Sequence, residues 1–360
     1  MKRVWVTVTV VIALLAIIGL AQQAPATGPY KVIKAAKVGG DGGMDYVYAD
    51  VDGRKLYIPR GGSQQSGATP RIVVYNLDTL EKLADIGNLG GHGVAVSTKS
   101  GHGFASSNPV VMFDSKALTQ IKTIDVQGSP DGIMYDSFND RVWVFSHRAP
   151  NATVLDPKDG SIVGTVDLGG APEQAVTDGK GRMYVDLEDT SKIAVVDAKA
   201  MKKTGEYDLA GKGGGPAGLA FDVKNHILFA SCHEPATMVI LNSETGQILD
   251  ALPIGTGTDG ATFNPKTMEA FSSNGGDGTL TVIKENSPTS FVVEQNVKTG
   301  PRFKTLTVDT KTDHIFVIGA EYGPPPPPPP ADAPKEAQKG GRGRGAPMIA
   351  GSFTIMEIGK

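Results

Sequence analysis

His92, His147 and His233 are three of the six histidines in a chain of 360 residues, and imidazole is a common ligand for zinc and copper. They could hold a transition metal together if the fold brings three widely spaced segments to one place. Asp45, Glu173 and Glu188 offer hard oxygen donors and could equally support calcium. More specific signatures are missing from the sequence. No Cys-x-x-Cys-His occurs, so no covalent haem is expected. His233-Glu234 is followed by Thr237 where a zinc protease would place its second histidine, and neither a Gly-x-Ser-x-Gly elbow nor a phosphate loop is present. Cys232, the only cysteine, closes an apolar run, where a buried small residue is expected before a nucleophile.

The elements that must position these residues are repeats. Arg182–Asp197, RMYVDLEDTSKIAVVD, reads as two short strands joined by a polar loop. Six stretches resemble it: Lys55–Asn76, His102–Asp114, Arg141–Asp156, Ile227–Asn242, Glu269–Lys284 and, split by an insertion, His314–Ile358. Each follows a short strand ending at Asp50, Ser97, Asp136, Asp178, Asp222, Asn264 or Asp309, at intervals of 47, 39, 42, 44, 42 and 45 residues. Such a period fits a four-stranded propeller blade. In the copy from Ala171 to Gly211 the expected strands are Gln174–Thr177, Arg182–Asp186, Lys192–Asp197 and Gly205–Leu209. The last copy stops without an outer strand, whereas Tyr30–Gly40 matches the outer strand within Thr119–Gly128. The expectation is an all-β, seven-bladed β-propeller closed by an N-terminal outer strand added to the C-terminal blade, with six or eight blades as alternatives. Closure removes sheet edges that would otherwise recruit other chains.

Met1-Lys2-Arg3, the apolar run Val4–Leu20 and small residues before Gln22 form the pattern of a signal peptide cut after Ala21. Residues 22–360 would then form one domain in the periplasm or outside the cell; an uncleaved anchor is the alternative, since the run is only slightly short of a span. One cysteine allows no internal disulfide, so stability must come from packing and sheet hydrogen bonds. Gly61–Pro70 lengthens a loop of the first blade. Gly323–Gly351, with seven consecutive prolines and the run KGGRGRG, is expected to be a disordered insertion in the last blade.

The hairpins carry a likeness. Arg182-Met183-Tyr184-Val185 and Ile193-Ala194-Val195-Val196-Asp197, with the junctions Ser129-Pro130-Asp131-Gly132 and Gly215-Pro216-Ala217-Gly218, resemble the repeat of the YVTN-repeat β-propellers, the YncE-like family. The resemblance covers nearly the whole chain after the signal segment apart from the insertion, although no copy has the full Tyr-Val-Thr-Asn. It implies a seven-bladed exported propeller of a group thought of mainly as binding proteins. Similar propellers also serve as scaffolds of lactonases and periplasmic redox enzymes, which transfers no mechanism.

In such a propeller two sets of loops open on one face. Those joining second to third strands contain Arg60, Asn108, His147, Arg148, Glu188, Asp189, His233, Glu234, Asn274, Asp277 and Glu321; those between blades contain Asp45, His92, Asp131, Glu173, Asp259 and Arg302. Convergent polar groups at one channel mouth are the expected form of a binding site. Asp or Asn at 76, 114, 156, 197 and 242, and Asp50, Asp136, Asp178, Asp222 and Asp309, recur blade by blade and are expected to cap turns. A structural role should recur, so the non-repeating His92, His147, Arg148, Glu173, Glu188, His233, Glu234 and Arg302 are the ligand-binding candidates, with His92, His147 and His233 as metal candidates.

The leading expectation is a monomeric binding propeller for a small molecule or a protein, with no assigned catalysis. The alternatives are a metal-dependent or lactonase-like hydrolase, which two histidines and a carboxylate around one point would favour, and a periplasmic redox partner. A formal charge of −3 and 6% aromatic residues disfavour nucleic acid.

Overall fold

The computed structural model describes residues 27–63, 66–149, 151–324 and 346–360. The signal segment, most of the Pro/Gly-rich insertion and two residues of the Gly61–Pro70 loop lie outside the described residues. Among the described residues there are 28 strands and no helix, and the strands form seven four-stranded antiparallel sheets arranged as a β-propeller. The inner strands are Tyr48–Asp50, Val94–Ser97, Pro130–Asp136, Pro172–Thr177, Pro216–Asp222, Thr258–Asn264 and Thr305–Asp309. The first six blades then run outward in chain order, and the seventh takes its outermost strand from the N-terminal segment Lys31–Lys37.

The fourth blade shows how sequence sets strand limits. Its strands are Pro172–Thr177, Arg182–Leu187, Lys192–Asp197 and Lys202–Asp208. The outer strand begins earlier than the expected Gly205, because Met201 takes a left-handed φ of 49° and completes the turn. Pairing resumes at once with Lys202 opposite Asp197, and a bulge between Val195 and Val196 absorbs the offset.

The second and third strands read as apolar runs because both their faces are covered by neighbouring blades. Trp143 and Phe145 of the third blade pack on Met183, Val185 and Leu187 of the fourth. Leu56 and Ile58 of the first pack on Phe316, Ile318, Phe353 and Ile355 of the seventh. Each such fully buried side chain contributes roughly 1.5–3 kcal/mol. Cys232 belongs to one of these cores, fully buried, and burial pushes its thiol up to about 12, so it is inert packing.

Closure takes the expected form. Lys31–Lys37 pairs antiparallel with Thr354–Gly359, Ala35 facing Met356, and Val38 N donates to Phe353 O at 2.9 Å. The added strand is exposed and carries Lys31, Lys34 and Lys37, charges that discourage further pairing at this edge. Both termini are also tied to the sixth blade through the buried Glu269. The Tyr30 hydroxyl donates to its Oε2 at 2.5 Å, and Lys360 Nζ lies 2.8 Å from its Oε1. The insertion departs and returns at one point, where Tyr322 bridges Met348 and Gly323 N donates to Pro347 O at 2.9 Å.

Candidate functional site

Every inner strand begins at the same face, so the residue at or just ahead of its start in each blade lies at the channel mouth. Counting back five residues from the seven anchors gives Asp45, His92, Asp131, Glu173, Ala217, Asp259 and Lys304. Six of the seven positions of one ring are therefore ionisable. The next position inward holds Tyr46, Gly93, Gly132, Gln174, Gly218, Gly260 and Thr305. The glycines leave the axis open for the two large residues: a Cβ on Gly132 would stand 2.4 Å from Glu173 O, and one on Gly218 would stand 2.5 Å from Ala261 N.

Tyr46 and Gln174 build a floor across that space. The Tyr46 hydroxyl spans from the first blade to the fourth, donating to Glu173 Oε2 at 3.0 Å. Gln174 spans the fourth, fifth and sixth: its Oε1 accepts from Leu219 N and Ala261 N at 3.1 Å, and its Nε2 donates to Ala261 O at 2.9 Å. Beneath Glu173 the buried Asp186 carboxylate accepts from Gln174 N at 2.6 Å. Burial, then repulsion by Glu173, raises its pKa well above the ordinary value.

Above the floor, acids and imidazoles alternate. His92 Nδ1 lies 2.7 Å from Asp45 Oδ2 and 3.2 Å from Asp131 Oδ1. His147 Nε2 lies 3.0 Å from Asp131 Oδ2 and 2.8 Å from Glu173 Oε1. The hydrogen bonds to Asp131 and Glu173 push the His147 imidazole up to about 10, and the bond to Asp45 raises that of His92. Burial works to raise the Asp45 carboxyl, but His92 and Lys304 outweigh it and hold it below the usual range. Burial raises the Tyr46 phenol, reinforced by Glu173 and Asp131. The donor types match a divalent ion of the zinc, manganese or cobalt kind: imidazole nitrogen with carboxylate oxygen. Two donors on one ion, with bonds of about 2.1 Å, sit roughly 3.0–3.4 Å apart, so these contacts are close to ligand spacing.

The mouth continues on its other side as a cleft of about 410 Å³ lined by Met44, His233, Thr258, Asp259, Arg302, Lys304 and Tyr322, among others. Lys304 Nζ joins the two halves, ion-paired with Asp259 and lying 3.5 Å from Asp45 Oδ1. Burial pushes the Asp259 carboxyl up to about 7 against the pull of Lys304. The Arg302 guanidinium stacks over the Tyr322 ring at 4.1 Å from a backbone with φ of 64°, which fixes a cation at the rim.

Of the sequence candidates, His92, His147 and Glu173 come together. His233 does not join them: its Nε2 is 4.0 Å from Glu188 Oε1, and it lies outside both donor groups. The backbone explains this, since His233 N donates to Gly214 O at 3.0 Å, which anchors its loop at the junction between the fourth and fifth blades. Burial, then Glu173, raises the Glu188 carboxyl, so it feels the site without touching it. Glu234 lines an outer cleft with Glu188 and His233, and Arg302 lines the inner one. Arg148 is exposed, with its backbone bonded to Ser146 Oγ. Arg60 is fully buried, donating to the carbonyls of Gly40, Gly42 and Gly43 and stacked 3.8 Å over Phe353, so it holds the segment between Lys31–Lys37 and the first blade in place. The non-repeating test set aside Asp45, Asp131 and Asp259 and never raised Tyr46 or Lys304. Alignment of the blades on their anchors would have found all but the tyrosine as one ionisable ring, and Tyr46, with Gln174, as the large residues of a ring that holds four glycines.

No protein-family model matches the chain, and no curated protein matches it in sequence. Solved structures do match its shape. A chain of Kuenenia stuttgartiensis hydrazine synthase superposes with a TM-score of 0.64 at 12% identity, covering 78% of this chain and 94% of that one. A chain of a mitotic checkpoint complex gives 0.64 at 12%, covering 88% and 96%. The WD40 repeats of RRP9 give 0.68 at 10%, covering 94% and 99%. Identities this low establish a WD40-like seven-bladed propeller and nothing about chemistry.

Proposed function

We propose that the protein is an exported binding propeller, a divergent relative of the YVTN-repeat group, that holds a divalent transition metal at its channel mouth and receives a small ligand in the cleft beside it. The observation that carries this reading is the convergence of His92 Nδ1 and His147 Nε2 with the carboxylates of Asp45, Asp131 and Glu173, all at 2.7–3.2 Å contacts. Five donor residues from four blades meet above Tyr46 and Gln174 at the mouth of the channel, which is how a ligand site at a propeller axis would be built. Arg302 and Lys304 would favour an anionic ligand in the adjoining cleft. Export rests on the basic and apolar start of the sequence.

A metal-dependent hydrolase is the second reading. Asp259 favours it, because a carboxyl near 7 in the cleft wall is suited to both giving and taking a proton at neutral pH. Elemental analysis of the purified secreted protein, before and after chelation and reloading with Zn²⁺, tests the shared premise. Stoichiometric metal that falls in His147→Ala supports it. A wild-type protein that stays metal-free after incubation with Zn²⁺ overturns it, and the cluster is then an ion-pair latch between blades.

A further inference from the structure

The five donors divide into two trios, Asp45–His92–Asp131 and Asp131–His147–Glu173, and within each trio the donor atoms lie within 4.8 Å of one another. Among the described residues no trio unites both imidazoles. Asp131 belongs to both but uses a different oxygen for each, Oδ1 toward His92 at 3.2 Å and Oδ2 toward His147 at 3.0 Å. That is the arrangement of a bridging carboxylate.

From this division we infer that the mouth takes two divalent ions, one on Asp45, His92 and Asp131 and the other on Asp131, His147 and Glu173, with the Asp131 carboxylate spanning them. The inference rests on the metal reading above and sharpens it. Each ion would have one nitrogen and two oxygen donors, a set suited to Mn²⁺, Co²⁺ or Zn²⁺. Three protein ligands leave each ion with open positions, as in sites that bind exchangeable ligands. Charge is consistent with a pair: three carboxylates partly neutralise two dications, and the residual positive charge suits an oxyanion such as a carboxylate or phosphate bound across them. The fold supplies the spacing. Successive blades present the same register position, so Asp45, His92, Asp131 and Glu173 follow the curve of the ring, and His147 enters from the hairpin loop of the third blade.

Chelated protein reloaded with Co²⁺ or Mn²⁺ and freed of excess ion by gel filtration should retain about two ions per chain. His92→Ala and His147→Ala should each keep about one, and Asp131→Asn should weaken both. Exchange coupling in the Mn²⁺ electron paramagnetic resonance spectrum of the wild type should vanish in His92→Ala. This readout needs no folded Asp131 variant. One ion per wild-type chain, lost entirely in either histidine variant, overturns the bridge and leaves a single shared ion. No ion in the wild type removes the metal reading itself.

Discussion

The two faces of the propeller use polar residues in opposite ways. On the face away from the site, the repeated carboxylates and amides cap the turns of their own blades, and contacts to a neighbouring blade, such as Asp309 to Arg54, come in addition. Asp50, Asp136, Asp178, Asp222 and Asp309 accept from backbone N–H groups two or three residues ahead, at 2.7–3.2 Å. Asn76, Asp114, Asp156, Asp197 and Asn242 do the same in the outer turns. At the channel mouth the same residue types reach across blades: Asp45 to His92, His147 to Glu173, Tyr46 to Glu173. A turn cap is satisfied by local backbone and therefore recurs with the repeat. A mouth residue is satisfied mainly by side chains, most of them from other blades, so its identity can vary around the ring.

This contrast separates stability from binding, and it can be broken. Asp309→Ala should have the largest effect on folding. The fully buried carboxylate accepts from Lys311 N and Thr312 Oγ1 and pairs with Arg54 at 2.8 Å, so its loss should cost about 3 kcal/mol in chemical denaturation. Metal content should not change. Asp131→Asn should do the reverse, lowering metal affinity about 100-fold, or about 2.7 kcal/mol, in a competition titration while the denaturation midpoint moves little. Equal effects of both variants on both measurements would erase the distinction.

A third variant asks whether the far face is purely structural. Burial pushes the Glu285 carboxyl up to about 7; the bond from Asn225 opposes this and the neighbouring Asp222 adds to it. The unfolded chain releases this proton near 4.5, so the folded state binds more protons in between and stability falls as pH rises from about 4.5 to about 7. Glu285→Gln keeps the acceptor for Asn225 and removes the charge. It should raise stability at pH 8 by on the order of 1 kcal/mol and flatten that slope. An unchanged slope in urea unfolding at several pH values would contradict it. The smallest effect is expected for Asn242→Ala, which removes one turn cap accepting from Glu244 N and Thr245 N; about 0.5–1 kcal/mol should be lost, with the mouth untouched.

The blades were legible because strand and turn chemistry is local. Alternating apolar runs, left-handed turn residues and capping aspartates recur at a fixed period, and the missing last outer strand announced the closure later found at Lys31–Lys37. The mouth was legible in part. His92, His147 and Glu173 stood out as non-repeating. Asp45 was raised only as an oxygen donor for calcium, and Asp131 only as one polar residue among the loops between blades, because nothing local tells which junction carboxylate will face an imidazole. His233 passed the filter and yet lies with Glu188, since loop course and not residue type decides where an imbalanced histidine points.

By itself the sequence determined the architecture: seven copies of one strand order, closed by the two termini, because each copy encodes its own turns and needs neighbours on both faces to bury its apolar strands. Only the tertiary structure decided which polar residues meet. Positions up to 47 residues apart, as Asp45 and His92 are, become ligand-distance neighbours when a ring closes around an axis, and the contacts of Asp131 with His92 and of His147 with Glu173 depend on side-chain reach across blade boundaries that no local pattern encodes.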